Sequence, residues 1–218
     1  MIRLFLYWVF FSFALAPSYV MSQSPWSLAL HKEGVKVYTR NVDGSNFKEF
    51  KGEITVQATL SAIVELIDDT DHMVNWVHNC IESKRLQLVS LNEGVNYMAL
   101  SAPWPVTDRD MVIRYRRAQN RRTFEVRIEM QAEKDFLPEK KSFVRVPSMQ
   151  GFWLLRPLGD GQVRIIYQVH SETGGFVPAS IANAFVVDSP YYTLKAMRQE
   201  LQKPIYRNAR VQGVLEPE

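Results

Sequence analysis

The residues with the clearest chemical potential are His72, His78 and Cys80, which lie close together in the chain. Imidazole and thiolate groups are common zinc ligands, but residues i and i+6 do not share a helix face. Cys80 is the only cysteine, so no internal disulfide can form, and a buried, small hydrophobic side chain is expected there. The spacing therefore predicts no metal site.

Motifs for hydrolysis, redox chemistry and phosphate binding are also missing from the sequence. It contains no Gly-x-Ser-x-Gly, no His-Glu-x-x-His, no Cys-x-x-Cys and no glycine-rich phosphate loop. We therefore predict no catalytic residue and no cofactor.

Several segments alternate between apolar and polar residues, as strands with one buried face do. In Asp110–Arg117, Arg114 and Arg116 share one face, so the odd-numbered residues should point inward. The same argument applies to the predicted strands Val95–Ser101, Gly151–Leu158 and Val163–Glu172. An apolar face of the C-terminal helix should close the space that the inward side chains surround. Nine positions are therefore candidates for a ligand-binding wall, with ordinary core packing as the alternative: Asn96, Met98, Met111, Ile113, Tyr115, Trp153, Tyr167, Ile181 and Phe185.

Periodicity also predicts the elements that carry these positions. A short helix is expected over Trp26–Lys32, followed by strands over Val35–Arg40 and Phe47–Val56. Thr59 can cap a helix whose apolar residues recur at helical spacing, and His72–Val77 should form a second short helix. The later strands are expected at Ser83–Ser90, Val95–Ser101, Asp110–Arg117, Thr123–Met130, Ser142–Val146, Gly151–Leu158 and Val163–Glu172.

The last predicted element is a long helix that begins near Pro178. Pro190 should kink or divide it, because proline lacks the amide hydrogen that a helix interior needs. Consecutive strands joined by short turns imply an antiparallel meander. The chain therefore has an α+β order in which a curved antiparallel sheet folds around one long helix.

The first 22 residues resemble a secretory signal peptide, with Arg3 before an apolar run. Cleavage after Ser22 would send the protein to the periplasm or outside the cell; an uncleaved membrane anchor is the alternative. The predicted organisation is a signal peptide over residues 1–22, one domain over 23–212 and a C-terminal tail over 213–218.

Composition indicates an ordinary globular protein and gives little sign of a macromolecular partner. Of 218 residues, 46% are hydrophobic and 22% charged, and the net charge of +3 is too small and diffuse to predict nucleic-acid binding. A monomer is expected. Six arginines between residues 114 and 127 could contact anionic lipid heads transiently, or form a solvated face paired with acids: Arg114, Arg116, Arg117, Arg121, Arg122 and Arg127.

Three motifs give the chain a family resemblance. Residues 103–110 read Pro-Trp-Pro-Val-Thr-Asp-Arg-Asp and resemble the PWP-x-x-x-RD signature of START domains, the StAR-related lipid-transfer family. Asp69–Trp76 is similar to a second family segment. Glu172–Pro178, followed by Ala182-Asn183, resembles the family's entry into the C-terminal helix, with Glu172 where aspartate is usual.

The resemblance implies a helix-grip fold in which the sheet and the C-terminal helix enclose an apolar tunnel for one lipid or sterol-like molecule. Family members often carry polar or charged residues at the sites of Asn96 and Tyr115, where they can orient a ligand's hydroxyl. Both are neutral here, which favours a neutral or weakly polar ligand. In the PWP-x-x-x-RD segment we expect Trp104 to cover a bend and Arg109 to form a structural ion pair with Asp110; contact of Arg109 with a ligand is the alternative.

Three functions follow from these observations. The first is a carrier of one hydrophobic ligand in the envelope of a bacterium. The second is an enzyme of the same fold, a cyclase, aromatase or hydrolase, acting on a hydrophobic substrate in that cavity. The third is an adaptor whose cavity is filled by its own side chains, which a volume below about 300 Å³ would favour.

Overall fold

The computed structural model describes residues 24–217. The predicted signal peptide therefore lies outside the described residues. Within them, ten strands form one sheet in the order β1-β2-β3-β10-β9-β7-β6-β5-β4, and β8 pairs in parallel with β6. The strands are β1 Ser27–Lys32, β2 Val35–Arg40, β3 Glu49–Gln57, β4 Cys80–Ser90, β5 Glu93–Leu100, β6 Arg109–Gln119, β7 Val126–Ala132, β8 Val144–Arg145, β9 Ser148–Gly159 and β10 Gln162–Glu172.

The helices are α1 Leu60–Asp68, α2 Ala179–Glu200 and α3 Pro204–Arg207, with a 3₁₀ helix at Thr70–Asn75. The Thr59 hydroxyl accepts a hydrogen bond from the Ala62 amide at 3.1 Å and caps α1 as predicted. The Glu216 carboxylate accepts from the Leu60 and Ser61 amides at 3.0 and 2.7 Å. The segment near the C-terminus is thereby fixed to the start of α1.

The antiparallel sheet and long C-terminal helix confirm the predicted α+β helix-grip fold. The main core lies between the concave sheet face and helices α1 and α2. A second, smaller cluster on the opposite face of β5 and β6 contains Val95, Tyr97, Ala99 and Val112. The two clusters show that the strands alternate as their sequences predict, one set of side chains to each face.

The helix predicted over Trp26–Lys32 is wrong, because Ser27–Lys32 forms an edge strand that pairs with β2. Trp26 and Leu30 have helical spacing, but the two-residue turn at Glu33-Gly34 decides the structure. Both turn residues have positive φ, at 50° and 77°, which suits a tight hairpin.

The division of the last helix at Pro190 is also wrong, because α2 runs without interruption from Ala179 to Glu200. Pro190 is buried against β3, where a Cβ at Gly52 would lie only 2.9 Å from the Pro190 Cβ. Close packing against the sheet holds the helix together on both sides of the proline.

Candidate ligand cavity

A mainly apolar cavity of about 180 Å³ lies between the concave face of the sheet and α2. All nine predicted wall residues line it: Asn96, Met98, Met111, Ile113, Tyr115, Trp153, Tyr167, Ile181 and Phe185. Strand alternation thus places seven of these side chains, and helix α2 the other two, around one space. Their contact with a ligand stays a prediction.

Aromatic rings form one side of the cavity. Trp153 and Tyr167 lie on β9 and β10 opposite each other and stack with ring centroids 3.9 Å apart. Phe50 and Trp76 meet this stack edge-on, at 5.2 Å from Tyr167 and 6.0 Å from Trp153. Burial raises the pKa of Tyr167 well above its usual value, so the phenol stays protonated at neutral pH.

One end of the cavity is lined by neutral polar groups. Asn96 Oδ1 is buried and has no hydrogen-bond partner within residues 24–217, and the same holds for Trp76 Nε1. The Tyr115 hydroxyl lies over Gly94 on the neighbouring strand, where a Cβ would come within 2.7 Å of it. Burial raises the pKa of Tyr115. This end can therefore offer a neutral donor and an unsatisfied acceptor to a ligand.

The Asp68 carboxylate lines the same cavity and is paired. Arg117 donates to Asp68 Oδ2 at 2.7 Å, and it also donates to Asn92 Oδ1 and to the Leu91 carbonyl. Burial raises the pKa of Asp68, while the charge of Arg117 acts in the opposite direction. Since this charge already has its partner, it does not require a charged ligand.

The predicted ion pair between Arg109 and Asp110 is wrong. Neighbouring residues of a strand point to opposite faces, so Arg109 lines the cavity while Asp110 lies on the outer face. Asp110 instead accepts from Arg145 at 2.9 and 3.0 Å, and both side chains are buried. The register that places Met111 and Ile113 inward also places Arg109 inward, which is compatible with the alternative role of Arg109 as a ligand contact.

Trp104 does not cover the bend between β5 and β6, contrary to prediction, because its side chain is 91% exposed. The bend nevertheless adjoins the segment that leads into α2. Arg109 donates to the carbonyls of Thr107 and Gly174 and so connects the two loops. Phe176 in the second loop is also exposed, at 86%.

The histidines and the cysteine have separate surroundings. His72 Nδ1 lies 3.0 Å from Asp69 Oδ2, whereas His78 stacks on Tyr192 with ring centroids 4.8 Å apart. Burial raises the pKa of the Cys80 thiol to about 11, so the neutral thiol is the stable form at physiological pH. No group of three side chains suited to a metal ion occurs in the part of the chain that the structure describes.

Four of the six arginines between residues 114 and 127 have acidic partners. Arg114 pairs with Glu133 and Glu93, and Arg116 also contacts Glu93. Arg117 pairs with Asp68, and Arg127 with Glu129. The structure therefore favours the second interpretation of this stretch, a face of paired charges, over a basic patch for lipid heads.

With this geometry established, comparison with known proteins identifies the family. Residues 20–205 match the START domain family. The chain belongs to the START family. An uncharacterised protein of Pseudomonas aeruginosa is 38% identical over 181 residues, covering 82% of this chain and 87% of that protein.

Solved structures agree with the assignment. A START-family structure from Xanthomonas axonopodis, described as a STAR-related lipid transfer protein, is 36% identical with a TM-score of 0.76. The match covers 82% of this chain and 99% of that one. Human StAR-related lipid transfer protein 5, at 17% identity, shares the fold with a TM-score of 0.71 over 81% of this chain and 86% of its own.

Proposed function

We propose that this START protein binds one hydrophobic molecule in the cavity and carries it between membranes. The observation that carries the proposal is an apolar cavity closed by α2 and lined by inward residues of several strands. Family membership supports it, since the solved relative from Xanthomonas is described as a lipid transfer protein.

The volume of the cavity sets a condition on this function. At about 180 Å³ it is smaller than the roughly 300–1,000 Å³ usual for a drug-sized ligand. This size favours the filled-cavity adaptor unless the wall moves, so we propose that lipid binding widens the cavity. Five flexible side chains in the wall can change rotamer to do so: Met73, Met98, Met111, Met130 and Met149.

Helix α2 offers a second way to widen the cavity. Its second half is held tightly, because Tyr191, Leu194 and Met197 are buried. In its first half, Ile181 and Phe185 are only partly buried, and Gly174-Gly175 precede the helix with positive φ. We propose that the first half moves outward to admit the ligand while the second half stays in place.

The energetics allow useful affinity after such a change. Burying about 500 Å² of apolar ligand surface contributes roughly 12 kcal/mol gross at about 25 cal/mol/Å². Association and ordering remove much of this gain. Micromolar or tighter binding therefore needs few polar contacts.

We place the carrier in the periplasm or outside the cell, on the composition of residues 1–22. No helix within residues 24–217 is long and apolar enough to span a membrane. Contact with membranes is proposed to be transient and to involve the exposed Trp104 and Phe176 beside the cavity.

The deciding experiment is native mass spectrometry of protein purified from its own host, combined with transfer of fluorescent lipid between vesicles. We expect one bound hydrophobic molecule per chain and protein-dependent transfer. Ile113→Trp, which fills the cavity, should abolish both while the protein stays folded. The absence of any bound molecule together with no lipid uptake would refute the carrier function. Chemical conversion of the bound molecule would favour an enzyme instead.

A further inference from the structure

The cavity contains a buried cation that connects two loops but has no carboxylate ion pair within residues 24–217. Arg109 is only 8% exposed and lines the cavity. Its guanidinium donates to the Thr107 carbonyl and, at 3.2 Å, to the Gly174 carbonyl. A guanidinium has five N–H donors, so two carbonyls leave part of its capacity unused.

The other two buried arginines show what a purely structural arginine looks like in this protein. Arg145 makes a two-pronged contact with Asp110 and also donates to three carbonyl groups. Arg117 pairs with Asp68. Among the buried arginines within residues 24–217, Arg109 alone has no carboxylate ion pair and Arg109 alone lines the cavity.

The neighbouring acid does not replace the missing partner. Asp108 Oδ1 accepts from the Ala102 amide at 2.8 Å. Burial lowers the pKa of Arg109, and Asp108 offsets part of that effect. Arginine nonetheless stays charged, and burying an unpaired charge is costly. The Arg109 guanidinium therefore keeps both a charge and hydrogen-bond donors that could be used by an anion.

A second polar group adjoins the guanidinium. Thr173 lines the cavity, its Oγ1 is buried without a hydrogen-bond partner among the described residues, and it directly precedes Gly174, whose carbonyl accepts from Arg109. Arg109 and Tyr115 lie on the same face of β6, six residues and therefore about 20 Å apart. Met111 and Ile113 separate them, so a cationic end is joined to an apolar channel.

We propose that Arg109 binds the anionic head group of a single-chain lipid, with the Thr173 hydroxyl as a second donor and the acyl chain along Met111 and Ile113. This inference rests on the proposed lipid-binding function and names its ligand class. It adds an anionic head group to the ligand, at the end of the cavity opposite Asn96 and Tyr115, which can still contact a neutral hydroxyl. A small cavity favours one acyl chain over two.

The test compares three ligands that share one acyl chain: oleate, its uncharged methyl ester and oleoyl lysophosphatidate. Displacement of a bound fluorescent lipid gives each affinity. Since hydrogen bonds to charged groups contribute about 1.5–3 kcal/mol, the wild-type protein should bind an anionic ligand about tenfold to hundredfold more tightly than the ester. Preference for oleate or for lysophosphatidate identifies the head group as carboxylate or phosphate.

Variants show whether Arg109 causes that preference. Arg109→Gln should remove that preference by weakening binding of oleate and lysophosphatidate far more than binding of the ester, while Arg109→Lys should retain part of the preference. Arg114→Gln, on the outer face, is the matched control and should behave as wild type. If Arg109→Gln lowers the affinity for all three ligands equally, Arg109 only holds the two loops together and the inference is wrong.

The wild-type measurements alone can also overturn the inference, should Arg109→Gln fail to fold. Equal binding of oleate, lysophosphatidate and the methyl ester would refute an anionic head-group site and leave the carrier function intact. Failure to bind any of the three, together with no uptake of other lipids, would instead refute the proposed function itself.

Discussion

Asn96 retains a polar group at a position where an apolar residue would fit the core better. Its Oδ1 is buried without a partner among the described residues, a state that costs roughly 1–3 kcal/mol. Such a cost is typical of sites kept for binding. We therefore expect Asn96→Leu to raise the free energy of unfolding by about 1 kcal/mol and to weaken binding of a hydroxylated ligand.

Urea denaturation and ligand titration measure these two effects of Asn96→Leu. Met98→Leu, on the same face of β5, is the control and should change the unfolding free energy by less than about 1.5 kcal/mol. Lower stability in Asn96→Leu would show that the amide has a partner, such as an ordered water, and would contradict the prediction.

Asp110 and Arg145 form a buried pair on the outer face of the sheet. Asp110→Asn removes the charge and leaves Arg145 buried without compensation, so we expect a loss of about 3–5 kcal/mol in unfolding free energy. Glu129→Gln breaks the more exposed pair with Arg127 and should have little effect. Equal losses of unfolding free energy for the two substitutions in urea denaturation would mean that burial does not determine how much each ion pair contributes to stability.

At the level of residues, alternation predicted which side chains surround the cavity, because a strand has only two faces. It could not predict the partners of charged groups. The Asp110–Arg145 contact joins positions 35 residues apart, through a segment that returns beside β6. Arg109, in contrast, could have been placed inward by extending the register of Met111 and Ile113 by one step.

Helix α2 and strand β3 approach each other unusually closely at Gly52. A Cβ there would lie 2.7 Å from Leu194 Cδ1 and 2.9 Å from the Pro190 Cβ. Gly52→Ala should therefore displace the helix and cost about 1–3 kcal/mol of unfolding free energy. The double variant Gly52→Ala/Leu194→Val should recover part of the loss, and thermal unfolding measures both. An unchanged melting temperature in the single variant would show that the helix shifts without cost.

The same contact explains why α2 is not divided at Pro190, which was one of the two outcomes predicted there. The local propensity of proline favours a break in the helix. The predicted order of strands and helices does not show that Gly52 on β3 leaves room for Pro190. The Trp26–Lys32 segment failed for a related reason. Its helical spacing was real, yet pairing with β2 through the Glu33-Gly34 turn decided the structure.

At the scale of the whole molecule, the most exposed aromatic side chains within residues 24–217 lie at one end of the cavity. Trp104 lies in the loop between β5 and β6, and Phe176 lies in the loop before α2. Arg109 connects the two loops through the carbonyls of Thr107 and Gly174. Exposed apolar side chains beside an apolar cavity are suited to enter a membrane surface, which in the proposed carrier would bring the ligand to the entrance of the cavity.

We therefore expect the double variant Trp104→Ala/Phe176→Ala to bind vesicles of mixed anionic and neutral phospholipids about tenfold more weakly in cosedimentation, and to transfer lipid more slowly. Affinity for a soluble fatty acid should stay unchanged, because neither residue lines the cavity. Leu88→Ala/Leu91→Ala removes exposed leucines around the turn between β4 and β5 and is the control, with vesicle binding like wild type. The arginine stretch between residues 114 and 127 is the other surface considered for membrane contact, and most of its charges are paired with acids. Added salt should therefore weaken vesicle binding only slightly. Unchanged vesicle binding in the aromatic variant, or an equal loss in the leucine control, would show that the protein meets membranes through another surface.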